Sequence, residues 1–407
     1  MSKEEKMGDF EKKILENKVL NRCKSIEIVS SEKCQNACKY CYRVKKHSKS
    51  PVYSLKGHHV KTLVDALLNQ IEQDTSFTKV RDFELFGGDS LIDYADALDI
   101  LRTINREYKP QRITIPTNAR MLQELTINDI RRLVDMETPV GFSLSVDGIS
   151  DGNRRLSKIG KMLAYNEEVN YPKLLKIAKE FGCGFHPMLS FTDFTNWLPT
   201  IKHFFENMGV IPYLLEVRHS LSHGQSLGAV KELVKVRKYL ESKNLPKESL
   251  KNANTTSGSI TPRGLGCSAL TTLCIMPNGD IPFCHRLIDE PWLIGNVFHG
   301  IDISKAVQYT STMDHRNFPD CIICPIRRFC NGLCVGACYE YWGDPWIPIT
   351  TICDYMRLKY YIFGEVFEDW KNMLYNAGGR IKRDILLHHV SETFGGDNIN
   401  KILEEVS

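Results

Sequence analysis

The sequence predicts an α/β protein built on a partial (β/α)6 barrel. Short segments rich in β-branched and aromatic residues alternate with amphipathic segments, which is typical of parallel strands joined by helical crossovers. The predicted strands cover residues 26–29, 83–86, 113–115, 142–146, 183–189 and 213–217. Because such crossovers are right-handed, six of these units curl into an open barrel.

The segments between and after these strands carry helical and loop patterns. Apolar residues recur at helical spacing in 60–71, in 130–134 and in 174–181, where Gly182 is the expected C-cap. A helix over 226–242 precedes a small, polar linker, and Asn278-Gly279 predicts a β-hairpin over 273–283. The patterns indicate an N-terminal arm, the barrel, a helix with linker, a cysteine-dense domain and a helical tail, over 1–24, 25–220, 221–262, 263–357 and 358–407.

Composition and charge exclude several classes of protein. The net charge is +4, from 53 basic and 49 acidic residues. This small excess of positive charge does not indicate a surface that binds nucleic acid. No apolar segment approaches the roughly 18 residues of a membrane span. We therefore expect a cytoplasmic protein with neither a nucleic-acid nor a membrane partner. In a reducing compartment, its 14 cysteines indicate metal binding or catalysis instead of disulfides.

Three cysteines follow the first predicted strand with the spacing C-x3-C-x2-C, at Cys34, Cys38 and Cys41. Three thiolates on a [4Fe-4S] cluster leave one iron open for a chelating ligand, whereas a structural zinc site is closed by four ligands. A zinc loop completed by a distant Cys or His is the alternative reading. The spacing differs from the paired C-x2-C knuckles that zinc usually takes, and the predicted position is the end of the barrel where active sites form.

The chain resembles the radical S-adenosylmethionine (SAM) superfamily in this motif and in the turns after the next strands. Phe86-Gly87-Gly88-Asp89 resembles the family's Gly-Gly-Glu turn, with a carboxylate one methylene shorter. The resemblance implies a [4Fe-4S] cluster that cleaves SAM to a 5′-deoxyadenosyl radical. Arg154 or its neighbour Arg155 would pair with the SAM carboxylate, and Arg154 is preferred. The implied SAM contacts are Tyr40, Gly87, Gly88, Asp89, Thr117, Asn118, Ser145, Asp147 and Arg154.

Seven further cysteines resemble the pattern of the SPASM domain, an appendage that carries two auxiliary [4Fe-4S] clusters. The resemblance implies an outer cluster on Cys321, Cys324, Cys330 and Cys353, and an inner one on Cys267, Cys284 and Cys334. Zinc is the alternative metal, because it also accepts thiolate cages. The inner set is one thiolate short. We expect an open iron there, and ligation by Cys274 is the alternative.

Within the SPASM group, the resemblance implies a peptide maturase that installs a thioether or carbon–carbon cross-link in a ribosomally synthesised peptide. One alternative is a formylglycine-forming oxidase like the anaerobic sulfatase maturases. His285 stands where those enzymes place an acidic base, which disfavours that reaction. The other is a non-catalytic Fe–S or zinc scaffold. The expected partners are a precursor peptide and a reductase such as flavodoxin or ferredoxin. Either a separate protein binds the leader of the precursor, or the leader docks elsewhere. The general base is not predicted.

Overall fold

The structure is a computed structural model. It describes residues 24–43, 54–72, 80–149, 154–166, 168–212, 215–217, 222–246, 249–250, 272–312, 318–330, 334–376 and 382–407. Within these residues no helix is both long and apolar enough to cross a membrane. The chain divides into two compact units, the first formed by 1–145, 153–184 and 268–312, and the second by 146–152, 185–267 and 313–407.

The strands are mostly short. They are β1 (Ser25–Ser31), β2 (Asn36–Cys38), β3 (Asp82–Gly87), β4 (Arg112–Thr117), β5 (Val140–Leu144), β6 (Arg154–Leu156), β7 (Gly184–Phe185), β8 (Met188–Ser190), β9 (Leu215–Val217), β10 (Thr272–Ile275), β11 (Asp280–Pro282), β12 (Leu293–Asn296) and β13 (Gly300–Ile301).

The α-helices alternate with the early strands and dominate the C-terminal part. They are α1 (Gly57–Glu72), α2 (Tyr94–Tyr108), α3 (Arg120–Glu124), α4 (Ile127–Val134), α5 (Lys158–Met162), α6 (Tyr171–Phe181), α7 (Trp197–Lys202), α8 (His223–Ser242), α9 (Ile303–Thr312), α10 (Pro319–Ile322), α11 (Val335–Trp342), α12 (Thr350–Val366), α13 (Glu368–Lys371), α14 (Arg383–Phe394) and α15 (Gly396–Val406). A 3-10 helix covers Phe191–Asn196, and π-helical turns cover His203–Asn207 and Asn372–Asn376.

A six-stranded parallel sheet with the order β10-β1-β3-β4-β5-β7 confirms the predicted α/β class. The strands of this sheet carry buried apolar residues, such as Ile26 and Ile28 on β1 and Ile113 and Ile115 on β4. The helices that follow the strands bury their own apolar stripes, as predicted for α1 and α4. Gly182 caps α6 in the left-handed region with φ +65°.

The sixth strand of this sheet is not the one that the sequence predicted. Residues 215–217 form β9, which pairs with β8 in a separate two-stranded sheet. The predicted strand over 183–189 is divided into β7 and β8, because Pro187 has no N–H to donate to a ladder. The open edge beside β1 is taken by β10, whose Leu273, Cys274 and Ile275 are buried.

The predicted hairpin over 273–283 forms only at its turn, where the Met276 N–H donates to the Asp280 carbonyl at 2.9 Å. Gly279 lies in the left-handed region at φ +86°, and the Gly279 N–H donates to the Met276 carbonyl at 2.9 Å. The flanking strands pair elsewhere, β10 in parallel with β1 and β11 antiparallel with β12. Residues 272–312 consequently pack with the barrel strands, and this grouping cuts across the predicted domain 263–357. The sequence-based domain boundaries stay a prediction.

Candidate SAM and iron–sulfur site

The loop that carries Cys34, Cys38 and Cys41 begins directly after β1 in the first unit. Its Asn36–Cys38 segment pairs antiparallel with β6, so that Cys38 stands opposite Arg154. The Cys41 N–H closes a turn on the Cys38 carbonyl at 3.1 Å, and half-buried Tyr40 lies within that turn. Backbone pairing therefore holds the three cysteines in one short, ordered loop.

The Cys34 sulfur lies among N–H donors and the other two cysteines of the loop. The Asn36 N–H and the Asn118 Nδ2 lie 3.4 Å and 3.5 Å from this sulfur. Burial raises the pKa of the Cys34 thiol to about 12, Asp89, Cys38 and Cys41 raise it further, and the Asn36 N–H opposes them. A bound cation would supply the positive charge that a buried thiolate needs, as thiolate ligands of metals are deprotonated. N–H donors to the sulfur are also typical of Fe–S sites.

Two glycines let the turn after β3 approach this loop closely. Gly87 has φ +140°, and a Cβ there would lie 2.0 Å from the Ser31 carbonyl oxygen. A Cβ on Gly88 would lie 2.1 Å from the Lys33 carbonyl oxygen. The N–H groups of Gly88 and Asp89 donate to those carbonyls at 2.7 Å and 2.8 Å. Only glycine allows this approach, so the pair fixes the turn beside the cysteine loop.

Asp89 links the turn after β3 to the turn after β4. Its Oδ2 accepts from the Thr117 hydroxyl and the Asn118 N–H, both at 2.9 Å. Its Oδ1 accepts from the Leu91 N–H at 3.0 Å. Burial raises the pKa of Asp89 to about 6, and these hydrogen bonds oppose that shift. Both oxygens are thus engaged within the protein, so the predicted contact of Asp89 with the SAM amino group would use their remaining lone pairs.

Asn118 connects the turn after β4 to the cysteine loop and to Arg154. Its Nδ2 donates to the Gln35 side-chain oxygen at 2.9 Å, and its carbonyl accepts from Arg154 Nη2. Arg154 is 2% exposed, whereas Arg155 is an exposed residue. Of the two arginines considered for the SAM carboxylate, the structure therefore places Arg154 beside the site.

The fourth turn carries Ser145 and Asp147. The Ser145 N–H donates to the Thr117 carbonyl at 2.8 Å, which aligns the ends of β5 and β4. Asp147 is almost fully buried in the second unit, where its Oδ1 accepts from the Met188 N–H at 3.0 Å. The SAM contacts predicted for both residues stay a prediction.

The sequence did not predict a structural role for Arg120, which is buried against the cysteine loop. Its Nε donates to the Asn36 side-chain oxygen at 3.2 Å, and its Nη2 donates to the Arg154 carbonyl at 3.3 Å. Nη1 binds the carbonyls of Asn166 and Glu168. The available signal was an arginine two residues after Pro116-Thr117-Asn118, but the role of Arg120 depends on partners far along the chain.

The outer set of cysteines, Cys321, Cys324, Cys330 and Cys353, comes together in the second unit. Cys321 begins a turn that the Cys324 N–H closes at 3.3 Å, and Cys353 lies in the first turn of α12. Burial, then Cys324 and Cys330, raise the pKa of Cys321 to about 11. Burial and the same neighbours raise the pKa of Cys353. The four sulfur atoms are close enough to interact, which fits a shared Fe–S cluster.

The inner set is divided among parts of the chain. Cys284 belongs to the first unit and Cys334 to the second, and Cys267 lies outside the described residues. Cys274, the alternative ligand, is buried on β10 and interacts electrostatically with Cys284. The choice between an open iron and Cys274 stays a prediction.

One face of the barrel sheet carries two acidic residues side by side. Glu27 on β1 stands in register with Glu84 on β3. Glu27 Oε2 lies 3.0 Å from His285 Nδ1, and the His285 ring stacks on Phe86 at 4.7 Å between centroids. Burial and the Glu27 charge raise the pKa of Glu84 to about 7, while His285 and Arg112 oppose the shift. His285 is thus oriented by a carboxylate.

Among the described residues, no group of three or more His, Cys or acidic side chains is placed to hold a single metal ion. In a [4Fe-4S] cluster each thiolate binds a different iron, so its cysteines stand farther apart than the ligands of one ion. The loop of Cys34, Cys38 and Cys41 and the outer set both supply soft thiolate donors, as such a cluster requires.

The chain is similar to known proteins both in sequence and in fold. Residues 28–184 match the sequence profile of the Radical SAM superfamily. No curated protein matches the chain. In fold, the chain is similar to anSMEcpe with bound AdoMet (SAM), with a TM-score of 0.63 and 14% identity, covering 91% of this chain and 98% of that one. It is also similar to Streptococcus suis SuiB bound to precursor peptide SuiA, with a TM-score of 0.53 and 15% identity, covering 84% of this chain and 78% of that one.

The profile match identifies residues 28–184 as a radical SAM domain. A domain of this superfamily implies an enzyme that uses SAM. At 14–15% identity, the two solved structures show the fold that the chain shares with them.

Proposed function

We propose that the protein is a radical SAM peptide maturase that installs a cross-link, a thioether or a carbon–carbon bond, in a ribosomally synthesised peptide. The observation that carries this proposal is the cysteine loop bonded to the turns after β3 and β4 around Cys34. A peptide substrate is supported by SuiB, which was solved with a precursor peptide. It is also supported by anSMEcpe, which was solved with AdoMet and the Cp18Cys peptide at a TM-score of 0.62.

The chain's own residues would bind and orient SAM. When bound, the [4Fe-4S] cluster on Cys34, Cys38 and Cys41 would supply the electron that cleaves SAM. Arg154 would hold the SAM carboxylate in a charge-assisted pair, and the turns at Gly87, Gly88 and Asn118 would bind its amino group and ribose. Tyr40 would lie against the adenine. Because these groups sit on strand-end turns fixed by hydrogen bonds, they are preorganised for the cofactor.

We further propose that residues 263–357 are a SPASM domain with two auxiliary [4Fe-4S] clusters. The mutual proximity of Cys321, Cys324, Cys330 and Cys353 supports the outer cluster. A reductase such as flavodoxin or ferredoxin would supply electrons. Either a separate protein would present the leader of the precursor, or the leader would dock elsewhere.

Anaerobic reconstitution followed by assay of SAM cleavage tests the enzyme class. The wild type is expected to bind about three [4Fe-4S] clusters with little zinc and to release 5′-deoxyadenosine on reduction. Changing Cys34, Cys38 and Cys41 together to Ala should abolish this release and leave auxiliary iron in place. Cys183→Ala, outside every proposed cluster, is the matched control. Release of 5′-deoxyadenosine from the triple variant would overturn the proposal.

The cross-linking reaction is tested with peptides encoded beside the gene. A cross-link removes two hydrogens from the peptide, which mass spectrometry detects, and tandem spectra locate the bond. Formylglycine instead carries an aldehyde that reacts with a hydrazide. A hydrazide-reactive product without a cross-link would replace the proposal with the oxidase alternative. Stoichiometric zinc without SAM cleavage would favour the scaffold.

A further inference from the structure

A half-buried arginine, Arg357, lies beside the outer set of cysteines in the second unit. Cys353 and Arg357 are four residues apart on α12, so their side chains share one face of the helix. The Arg357 side chain is 18% exposed. Its guanidinium interacts electrostatically with Cys321, Cys324 and Cys353. A positive charge is therefore fixed at the edge of this cysteine set.

The guanidinium has partners on two sides, the Asp354 carboxylate and the sulfur of Cys324, with which it shares a hydrogen bond. Arg357 Nη1 donates to Asp354 Oδ1 at 2.9 Å, and the other Asp354 oxygen lies 3.7 Å from His223 Nε2. Arg357 Nε is buried and has no hydrogen-bond partner among the described residues. A buried donor without an acceptor costs free energy, so such groups usually have a partner. The sulfur atoms of a cluster on these cysteines would provide the acceptor.

We propose that Arg357 donates an N–H···S hydrogen bond to the outer auxiliary cluster and raises its reduction potential. This inference rests on the proposed function, because that proposal assigns the cluster to Cys321, Cys324, Cys330 and Cys353. Reduction adds one electron to a site that already carries the negative charge of four thiolates. A fixed positive charge and hydrogen bonds to sulfur both favour the reduced form.

Because the residue is an arginine, its effect on the reduction potential does not depend on pH. Arginine stays protonated at every working pH, and its planar fork holds two N–H directions at once, one toward Asp354 and one toward the cysteines. Lysine would keep the charge but not this geometry. Arg357 is therefore a positioning and tuning residue that favours electron acceptance by the outer cluster.

The test is a dithionite redox titration followed by EPR, in the variant that lacks Cys34, Cys38 and Cys41 so that only auxiliary clusters remain. With Arg357→Gln, one of the two reduction waves should move to lower potential. At a fixed potential, the ratio of oxidised to reduced cluster should rise at least tenfold, which is 59 mV for one electron. Arg357→Lys should move the same wave less. The other wave should stay in place.

The control is Arg383→Gln, which removes the same charge from an exposed ion pair with Glu365 in the same unit. Equal shifts in Arg383→Gln and Arg357→Gln, or no shift in either, would overturn the inference while the clusters remain bound. Loss of outer-cluster iron from both Arg357 variants would assign the residue to cluster assembly and would also overturn it. Absence of auxiliary iron from the parent variant would instead refute the proposed function on which the inference rests.

Discussion

The hydrogen bond between Asp89 and Thr117 gives a sharp test of how the turns after β3 and β4 are held together. The Thr117 hydroxyl donates to the Asp89 carboxylate at 2.9 Å in a buried position. A hydrogen bond to a charged group contributes about 1.5–3 kcal/mol. A double-mutant cycle with Asp89→Ala and Thr117→Val should therefore give a coupling free energy in that range at pH 8, measured by urea unfolding of the cluster-loaded protein.

A neighbouring hydrogen bond between neutral groups is the matched control. Ser30 Oγ donates to Ser90 Oγ at 2.8 Å, also in a buried position. The cycle with Ser30→Ala and Ser90→Ala should give about 0.5–1.5 kcal/mol, because neither partner is charged. A coupling for Asp89 and Thr117 no larger than that of the serine pair would refute the reasoning.

The same variant separates a structural role of Asp89 from a role in SAM binding. Asp89→Ala removes the acceptor of the Asn118 N–H, and the Asn118 side chain contacts Cys34 and Gln35. SAM affinity should fall at least tenfold, about 1.4 kcal/mol, with cluster iron retained on the three cysteines. Equilibrium titration with SAM and iron analysis measure the two quantities. Loss of iron would place Asp89 in the assembly of the cysteine loop.

Three further predictions concern residues around this site. Arg154→Ala should weaken SAM binding by about 1.5–3 kcal/mol, whereas exposed Arg155→Ala should change it less; equal effects in SAM titrations would contradict the assignment. Gly88→Ala should displace the turn from the Lys33 carbonyl and lower both the unfolding temperature and SAM affinity; wild-type values would contradict the close approach. Burial raises the pKa of Glu84 to about 7, so the contribution of its protonated form to stability is present below about pH 4.5 and is lost as pH rises through 7. The free energy of unfolding of the wild type in urea, relative to that of Glu84→Gln, should therefore fall by about 2 kcal/mol from pH 5 to pH 8. Parallel pH profiles of the two proteins would exclude the raised pKa.

The sequence predicted the features that depend on residues close together in the chain. Strands β1, β3, β4 and β5 carry short β-branched runs, and the turn at Gly87 and Gly88 follows from the missing Cβ atoms. The loop of three cysteines was evident from its spacing alone. In each case the residues that set the structure lie within a few positions of each other, so a pattern in one segment predicted them.

Other features depend on partners far along the chain. The run that forms β10 has the composition of a buried parallel strand, but only its pairing with β1, some 250 residues earlier, distinguishes it from a hairpin strand. Arg120 likewise depends on Asn36 and Arg154, which lie in two other loops. A pattern within one segment of the sequence cannot predict pairings between distant segments.

Asp89 connects the turns that meet around Cys34. The turn after β3 is bonded to the cysteine loop through the N–H groups of Gly88 and Asp89, and the Asp89 carboxylate reaches the turn after β4. That turn contacts the sulfur of Cys34 through Asn118. The segments that follow β1, β3 and β4 are thus each hydrogen-bonded to the other two. A substitution in any one of them should therefore displace the others. A substitution at position 89 is therefore expected to displace Asn118 and Cys34, in addition to removing any direct contact of Asp89 with SAM.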